Sequence, residues 1–530
     1  MHLTRNRSDA LFSVAQICTV ERAAQARLLP HVLMQRASEA AAQAALRLLS
    51  APGGQFLCKD APVLVATGPG NNGGDAFECA AHLARHGCAV TILAPVSADD
   101  PNADYAQAEA LAHACSIVFA DIQTLHRLGR RRWALVIDGL FGIGLTRPLG
   151  GIWRMMVETI NAIDTLRLAL DVPSGLNADT GNIACSPDGA RICVNATHTI
   201  TFIGDKPGLH TCDGRDHAGI VSVAGLDIED GLYPVPHAWL NRPAYFDAPS
   251  HRRRQNSHKG HYGDVQVIGG SAGMAGAAML AAQAALKAGC GRVLIGFADP
   301  AQVLPSIAGY PELMCRSAAA LDFSGATLVV GPGLGTSPAA HALVERACGA
   351  ASPLVLDADG LNLVSASPSL QQLLAARVTR FAATVLTPHP LEAARLLGVH
   401  VARVQADRVQ AAAALVSRFG ATVILKGSGT VIAHGEALAI NPTGNPALAT
   451  GGTGDVLAGL CGALIAQGWS AHDAARAAVW IHGAAADRLV AAGLGPVGIT
   501  ASEIIDASRL ILNCLIAGRP DLDPNSAVLQ

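Results

Sequence analysis

Residues 445–459 carry the sequence NPALATGGTGDVLAG, in which a glycine-rich loop leads into an apolar run that continues through Ile465. This pattern predicts a loop that opens onto a buried helix. Glycines let a backbone approach a ligand closely, and the free N–H groups of a helix start suit phosphate. A carboxylate at Asp455 does not suit an anion, so we expect it to accept a proton or to face a metal. The alternative is an Asp helix cap after a glycine turn.

Other predicted strands of the second half also end in glycine or polar residues. In an open α/β sheet the carboxyl ends of the strands share one crevice, where ligands bind. The run Lys426 to Thr430 offers a cation and hydroxyl donors, which suit a nucleotide phosphate or ribose. His389 lies between two prolines, and a surface loop histidine is the alternative there. For Asp357 and Asp359 we favour a turn before a helix over a catalytic role.

Three polar clusters follow predicted strands of the first half, at residues 67–75, 138–148 and 171–177. The strand, glycine loop, helix, strand order predicts a Rossmann-like, doubly wound parallel sheet. We expect glycines 68, 70, 73 and 74 to supply free N–H groups for an anion. The spacing matches neither GxGxxG nor a P-loop, and the alternative is a set of turn and cap residues. The side chains expected to converge are Asn71, Asn72, Asp75, Asp138, Asp171 and Ser174.

The length of 530 residues exceeds what one core normally supports, so two domains are predicted, at residues 1–226 and 227–530. The stretch 226–249 loses strong periodicity and holds four prolines, which marks it as the junction. No run of 18 uninterrupted apolar residues occurs, so no membrane span is expected. The 13 cysteines are scattered as reduced core thiols are, and Met1 to Ala10 lacks a signal-peptide core. These features predict a cytoplasmic protein.

The formal net charge of −3 gives no electrostatic reason to expect a nucleic-acid partner. A basic cluster does occur at Arg252 to Arg254, flanked by histidines and Lys259. We interpret it as a short solvated linker, which needs no partner.

The motifs, taken in order, resemble those of the bifunctional NAD(P)H-hydrate repair enzymes over about residues 11–515. The first half is similar to the epimerase domain of that family. The second half is similar to the ADP/ATP-dependent dehydratase, which implies a ribokinase-like α/β fold. One departure is Ala76, where the family often has glycine, and the added methyl is expected to crowd the loop slightly. The matching motifs are GPGNNGGD, IDGLFGIGLTRPL, DVPSGLNADTG, HKGHYGDVQVIGGSAGMAGAA, GPGLG, LDADGLN, LTPHPLEAARLLG, LKGSGT and NPTGNPALATGGTGDVLAG.

The resemblance implies site residues in both halves. In the epimerase half it implies potassium ligands at Asn72, Asp138 and Ser174, oxygen donors of the kind that suit a hard cation. The implied hydrate-binding positions there are Asn71, Asn72, Gly73, Gly74, Asp75, Gly142, Ile143, Gly144, Leu145, Thr146, Arg147, Pro148 and Asp171. In the dehydratase half they are Ala277, Gly333, His389 and Asp455. The implied adenine-nucleotide positions are Lys426, Gly427, Ser428, Gly429, Thr430 and Gly454.

The resemblance also implies two reactions on NADH or NADPH hydrated at C6 (NADHX and NADPHX). The first domain, with K⁺, interconverts the R and S hydrates, and Asp171 is the expected proton-handling group. The second, with Mg²⁺ and ADP or ATP, phosphorylates the C6 hydroxyl of the S hydrate with Asp455 as base, and phosphate then leaves. The preferred nucleotide and hydrate stay open. A homo-oligomer also stays open, since ribokinase-like relatives often assemble.

Two alternatives remain from the sequence. The second half is also compatible with a kinase for another small alcohol, which would release a stable phosphorylated product. The fusion to the NNGGD domain speaks against that activity. The first half is also compatible with a protein-interaction module, although the presence of Asp138, Asp171 and Ser174 together favours a working site.

Overall fold

The computed structural model describes residues 7–50, 61–94 and 102–519. They form two compact units that divide between Trp239 and Leu240. This division lies inside the predicted junction but differs from the predicted 226/227 boundary. The reason is that Leu226, Ile228 and Trp239 pack with the core of the first domain. Of the segment Met1 to Ala10 used to predict a cytoplasmic location, residues 1–6 lie outside the described residues.

The first domain is built on a parallel sheet. Its strands are β1 (Ala10–Leu11), β2 (Pro62–Thr67), β3 (Ala89–Leu93), β4 (Val118–Ala120), β5 (Leu135–Gly139), β6 (Leu166–Leu170), β7 (His198–Phe202), β8 (Ile220–Ala224) and β9 (Ala238–Leu240). Seven of them form one sheet in the order β4-β3-β2-β5-β6-β7-β8, all parallel. The short strands β1 and β9 pair antiparallel. The order reverses between β2 and β5, where an open sheet leaves a crevice for ligands.

Helices cover both faces of this sheet, as a buried parallel sheet requires. The described helices of this domain are α1 (Val14–Gln25), α2 (Val32–Ser50), α3 (Asn71–Arg85), α4 (Ala103–His113), α5 (Leu125–Leu128), α6 (Gly151–Ala162) and α7 (Gly214–His217). Helix α1 begins with a capping box in which Ser13 and Gln16 satisfy each other's backbone N–H groups. The sequence analysis predicted that the motif NNGGD forms a loop. In the structure α3 begins at Asn71, so this motif forms the start of the helix instead.

The second domain has a mainly parallel sheet in the order β18-β17-β16-β15-β14-β13-β10-β11-β12, in which only the β16–β17 and β17–β18 pairs are antiparallel. Its strands are β10 (Asp264–Gly269), β11 (Arg292–Phe297), β12 (Met314–Ser317), β13 (Thr327–Val330), β14 (Leu354–Leu356), β15 (Thr384–Leu386), β16 (Thr422–Leu425), β17 (Val431–His434) and β18 (Ala437–Ile440). Its described helices are α8 (Ala275–Lys287), α9 (Pro338–Gly349), α10 (Ala358–Ala366), α11 (Pro368–Ala375), α12 (Pro390–Leu397), α13 (Val401–Ala406), α14 (Arg408–Phe419), α15 (Thr453–Ala466), α16 (Ala471–Ala491) and α17 (Ala501–Ala517).

Helix α15 is the buried helix predicted after the GGTGD loop. It begins at Thr453, after Gly452 with φ of +93°, so Asp455 lies in its first turn. The helix is apolar on all sides because α8, α16 and the sheet surround it. A Cβ atom at Gly459 would lie 2.0 Å from the carbonyl oxygen of Ala281, so α15 and α8 meet backbone to backbone. None of the helices among the described residues is long and apolar enough to cross a membrane.

Candidate active sites

A cavity of about 670 Å³ opens in the first domain at the reversal point of the sheet. Its wall combines carboxylates with apolar side chains of α1 and α2. Because β2, β5 and β6 are parallel neighbours, the residues that follow them meet along this edge. The predicted residues that line the cavity are Asn71, Asn72, Asp75, Gly142, Ile143, Gly144, Leu145 and Asp171.

Asp138 and Ser174 form a buried pair beneath this cavity. The Ser174 Oγ atom donates to Asp138 Oδ1 at 2.7 Å, and the Ser174 backbone N–H donates to Oδ2 at 2.8 Å. Burial raises the pKa of Asp138 to about 6, against the lowering effect of these hydrogen bonds. The pair fixes the start of the loop that follows β6.

Asn72 is buried, yet neither polar atom of its side chain has a hydrogen-bond partner among the described residues. A buried amide without partners is costly unless a ligand or ion satisfies it. Asn72, Asp138 and Ser174 carry oxygen donors of the kind that could hold a hard cation such as K⁺. No group of three or more His, Cys, Asp or Glu side chains in the described chain has the arrangement of a metal site.

Asp171 is paired with a lysine that the sequence analysis missed. The Lys206 Nζ atom is fully buried and lies 2.5 Å from Asp171 Oδ1, and it also donates to Thr201 Oγ1 at 2.6 Å. The other carboxylate oxygen, Oδ2, accepts from the Ile143 N–H at 3.3 Å. Asp171 itself adopts φ of +63°, a left-handed conformation that Asp tolerates better than most residues. The cavity wall therefore contains a carboxylate that is hydrogen-bonded to a buried ammonium group.

Two further carboxyl groups face the same cavity. Burial raises the pKa of Asp75 well above its usual range, and the charges of Asp171 and Glu21 raise it further. Burial, followed by the charge of Asp171, also raises the pKa of Glu21 on α1. A cavity wall that favours neutral carboxyl groups can donate hydrogen bonds to a polar substrate.

The rest of the predicted first-domain set is placed differently. Thr146, Arg147 and Pro148 are exposed and do not line the cavity. Of the four glycine N–H groups expected to be free for an anion, three are engaged, since Gly68 donates to Gly139 while Gly73 and Gly74 donate to Gly70. Gly70 itself lines the cavity. A Cβ atom at Gly68 would lie 1.7 Å from the Leu140 carbonyl oxygen, so this glycine permits close packing.

Ala76 is buried in the core of the first domain. Its methyl lies against β5, where a Cβ atom at Gly139 would stand 2.3 Å away from it. The expected effect of this departure on the loop stays a prediction.

In the second domain, Lys426 and Asp357 bring two strand ends together. Lys426 Nζ donates to Asp357 Oδ1 at 2.7 Å, and Thr387 Oγ1 donates to the same oxygen at 2.7 Å. Asp357 lies in a turn directly before α10, as predicted, but its side chain is buried and makes no cap hydrogen bond to that helix. Gly454 lies beside this pair, because a Cβ atom there would stand 3.3 Å from Lys426 Nζ. The predicted nucleotide-binding run thus meets the start of α15.

The Asp455 carboxylate makes no hydrogen bond with any described residue. Burial raises its pKa to about 7, the charges of Asp357 and Asp359 raise it as well, and that of Lys426 lowers it. Burial acts to lower the pKa of Lys426, but the carboxylates around it together raise that pKa above its ordinary value. A carboxylate that titrates near neutral pH is suited to act as a general base.

His389 is half exposed and serves as the cap of α12. The His389 Nδ1 atom accepts from the Leu391 backbone N–H at 3.1 Å, and the His389 backbone N–H donates to Glu392 Oε2 at 2.8 Å. Burial and then the charge of Lys426 lower the pKa of His389. Burial raises the pKa of the neighbouring Glu392 to about 7. Asp359 is engaged as well, because its Oδ2 atom accepts from the Gly335 N–H at 2.8 Å.

The remaining predicted residues lie at neighbouring loops. Gly333 adopts φ of +58°, and a Cβ atom there would stand 3.2 Å from the Ala277 methyl, so these two positions face each other. In the run after Lys426, the Thr430 hydroxyl donates to the Gly427 carbonyl at 3.1 Å and closes a turn. Ser428 in this turn is exposed, whereas Gly429 is buried.

Fold and sites together define a two-domain α/β protein in which a Rossmann-like domain precedes a ribokinase-like domain. Residues 30–208 match the family described as YjeF-related protein N-terminus, and residues 265–509 match the family described as NAD(P)H-hydrate dehydratase. The bifunctional NAD(P)H-hydrate repair enzyme of Coxiella burnetii is 36% identical over 515 residues, which cover 95% of this chain and 99% of that protein. The chain belongs to the bifunctional NAD(P)H-hydrate repair enzyme family.

Two further matches cover less of the chain. The repair enzyme of Escherichia coli is 36% identical and covers 85% of each chain. A solved structure, the ADP/ATP-dependent NAD(P)H-hydrate dehydratase of Bacillus subtilis co-crystallised with ATP and Mg²⁺, is 29% identical with a TM-score of 0.45. It covers 52% of this chain and 98% of that one.

Proposed function

We propose that this chain repairs hydrated NADH and NADPH through two reactions, one in each domain. The first domain epimerises the R and S hydrates. The second dehydrates the S hydrate by phosphorylating its C6 hydroxyl with ADP or ATP. Family membership over both halves supports the pairing of activities. The observation that carries the second reaction is the Asp455 carboxylate, which has a pKa of about 7 and lies at a helix start beside Lys426.

In the second domain, Asp455 accepts the proton of the C6 hydroxyl as that oxygen attacks the terminal phosphoryl group. The bond to the nucleotide oxygen breaks, and Lys426 and the N–H groups at the start of α15 balance the charge on the phosphate oxygens. The C6–O bond then breaks with loss of phosphate, and loss of a proton from the neighbouring ring carbon restores the double bond.

Mg²⁺ is usually held by one or two carboxylates together with substrate phosphates. The charges of Asp357, Asp359 and Glu392 raise the pKa of Asp455 and that of Lys426 lowers it, so several carboxylates gather near Asp455 and supply ligands of the kind that a divalent cation takes. Asp357 and Asp359 would hold the ion. When bound, it neutralises charge on the phosphates.

In the first domain, Asp171 and Lys206 handle the proton that moves during epimerisation. The buried ammonium orients the Asp171 carboxylate, while the Ile143 N–H holds its second oxygen. Asn72, Asp138 and Ser174 would hold K⁺, which supplies a positive charge near substrate oxygens. The cytoplasm is the proposed location, supported by the free thiols of the cysteines within the described residues.

The test is to give the purified chain a mixed R and S hydrate with ADP and to follow reduced nicotinamide by its absorbance. Complete conversion is expected. Asp455→Asn should slow dehydration by about a thousandfold and leave epimerisation intact. Asp171→Asn should halt conversion when the S hydrate is exhausted. Exposed Glu436→Gln and Asp216→Asn serve as matched controls. Wild-type turnover in Asp455→Asn, or a stable phosphorylated product, would contradict the proposal.

A further inference from the structure

A second concave surface of the second domain is lined by cationic residues. It is a pocket of about 520 Å³ whose wall includes Arg253, Arg254, His258 and Lys259. Strands β10 and β11 begin just after it, so it lies at the amino edge of the parallel sheet. Asp455 lies at the carboxyl edge, and the six residues of β10 span roughly 20 Å between the two edges. This pocket is therefore separate from the candidate active site.

The wall of this pocket is organised by specific contacts. The Arg253 guanidinium stacks over the Tyr262 ring at 3.9 Å and donates to the Gly289 carbonyl. The Tyr262 hydroxyl donates to Ser257 Oγ at 2.7 Å. Arg252 to Arg254 are exposed and lie outside the helices and strands, as the sequence predicted for a solvated linker, and these side-chain contacts also hold the segment against the domain.

Two cations in the wall have no counter-charge. The side chains of Arg254 and Lys259 make no hydrogen bond or ion pair with the described residues, and no carboxylate of the described chain lines the pocket. His258 Nδ1 accepts from the Gly260 N–H at 3.2 Å, which leaves the ring N–H at Nε2 as a donor. The wall thus presents positive charge and N–H donors and lacks a carboxylate to pair with them.

We propose that this pocket binds a phosphate-bearing anion. Arginine matches phosphate with two parallel N–H groups, and lysine adds a mobile point charge. The volume lies within the range of small-ligand sites and exceeds the size of one inorganic phosphate. The ligand class is therefore a phosphate ester or an oligophosphate, bound away from the reacting centre.

The experiment is calorimetric titration of the full chain with pyrophosphate in phosphate-free, low-salt buffer. Arg254→Gln/Lys259→Gln should weaken one class of pyrophosphate sites by about tenfold or more, because each charged hydrogen bond contributes strongly. Pyrophosphate can also enter the nucleotide site, but neither this double variant nor the control double variant alters that site, so its contribution is the same in both. The control Arg488→Gln/Arg509→Gln removes the same charge from α16 and α17 and should bind as the unaltered chain does.

Parallel titrations with inorganic phosphate and AMP identify the source of the phosphate. Tighter binding of AMP than of phosphate at this pocket indicates a nucleotide, and equal binding indicates the phosphate group alone. Neither substituted side chain has a partner to lose, so the melting temperature without ligand should not change. Equal affinity and stoichiometry in the two double variants, or no binding by the unaltered chain, would overturn the proposal.

Discussion

The Nζ atom of Lys426 lies 2.7 Å from Oδ1 of Asp357, although the two residues are 69 positions apart in the chain. They follow β16 and β14, and Thr387, which follows β15, donates to the same oxygen. Three consecutive strand ends therefore meet at one carboxylate. This pair holds the ammonium group beside Gly454 and links the predicted nucleotide-binding run to the helix that carries Asp455.

Asp357→Asn should weaken dehydration although Asp357 is not the proposed base. The substitution removes the charge that holds Lys426, so we expect a higher KM for ADP and a fall in kcat/KM of about 10- to 100-fold. Steady-state kinetics at varied ADP measures this, and epimerisation by the same sample serves as the internal control. If Asp357→Asn showed the same kinetics as the control Glu436→Gln, the Lys426–Asp357 pair would have no role in dehydration.

Lys426→Met should shift the pH dependence of dehydration. The charge of Lys426 lowers the pKa of Asp455, which is about 7 in its presence. Without that charge the pKa rises, so the acidic limb of the kcat/KM profile should move up by about one pH unit. Lys426→Arg keeps the charge and should keep the limb in place. An unmoved limb in Lys426→Met would show that another group titrates.

Asp455→Asn should stabilise the second domain at alkaline pH. The pKa of Asp455 rises from 3.8 to about 7 on folding, so the folded state holds a proton that the unfolded state has lost. Its contribution to stability is present below pH 3.8 and is lost as pH rises through about 7. The variant should therefore melt a few degrees higher than the wild type at pH 8 and equally at pH 4. Calorimetric scans at both values test this, and a gain at pH 4 alone would contradict it.

Lys206→Met should destabilise the first domain and abolish epimerisation. Removal of one partner from a buried pair costs about 3–5 kcal/mol, because the Asp171 charge is left uncompensated. Lys206→Met/Asp171→Leu removes both charges and should regain much of that stability. Activity should stay lost in the double variant, which separates folding from chemistry. Denaturant unfolding and R-to-S conversion are the measurements, and an active Lys206→Met would exclude its role in proton transfer.

Gly139→Ala should destabilise the first domain through Ala76. The new Cβ atom would lie 2.3 Å from the Ala76 methyl, and such overpacking typically costs about 1–3 kcal/mol. Ala76→Gly in the same chain should recover part of this, since the next contacts, to Ala66 and Asn72 carbonyl oxygens, are at 3.2 Å. A double-mutant cycle on the free energy of unfolding gives the coupling. Additive effects would show that the two positions do not touch.

The sequence was informative where parallel strands fix geometry. Asn72, Asp138 and Ser174 follow or end neighbouring strands, so their approach could be predicted without knowing any contact. The start of α3 could not be predicted, because glycines disfavour helix and the close approach of Gly73 to Gly68 and of Gly74 to Met34 is visible only in the fold. Lys206 was missed although it follows β7 in the run Gly204 to Gly208, a strand-end signal like those that were used.

Asp357 and Glu392 show a different limit. Each lies next to a helix start, where a carboxylate is common for local reasons alone. Only the tertiary fold brings Lys426 close to these two carboxylates. Without it, the sequence cannot show whether they belong to a charged cluster or act as helix caps.

The glycine contact between α15 and α8 has a mechanical consequence. Asp455 is one helical turn from Gly459, whose backbone rests directly on that of Ala281. No layer of side chains separates the two helices at this contact, so α15 has no room to shift there. The packing of the core therefore fixes the position of the Asp455 carboxylate. Ligands must therefore adjust to this end of α15, and a change as small as a methyl group between the helices would displace the proposed base.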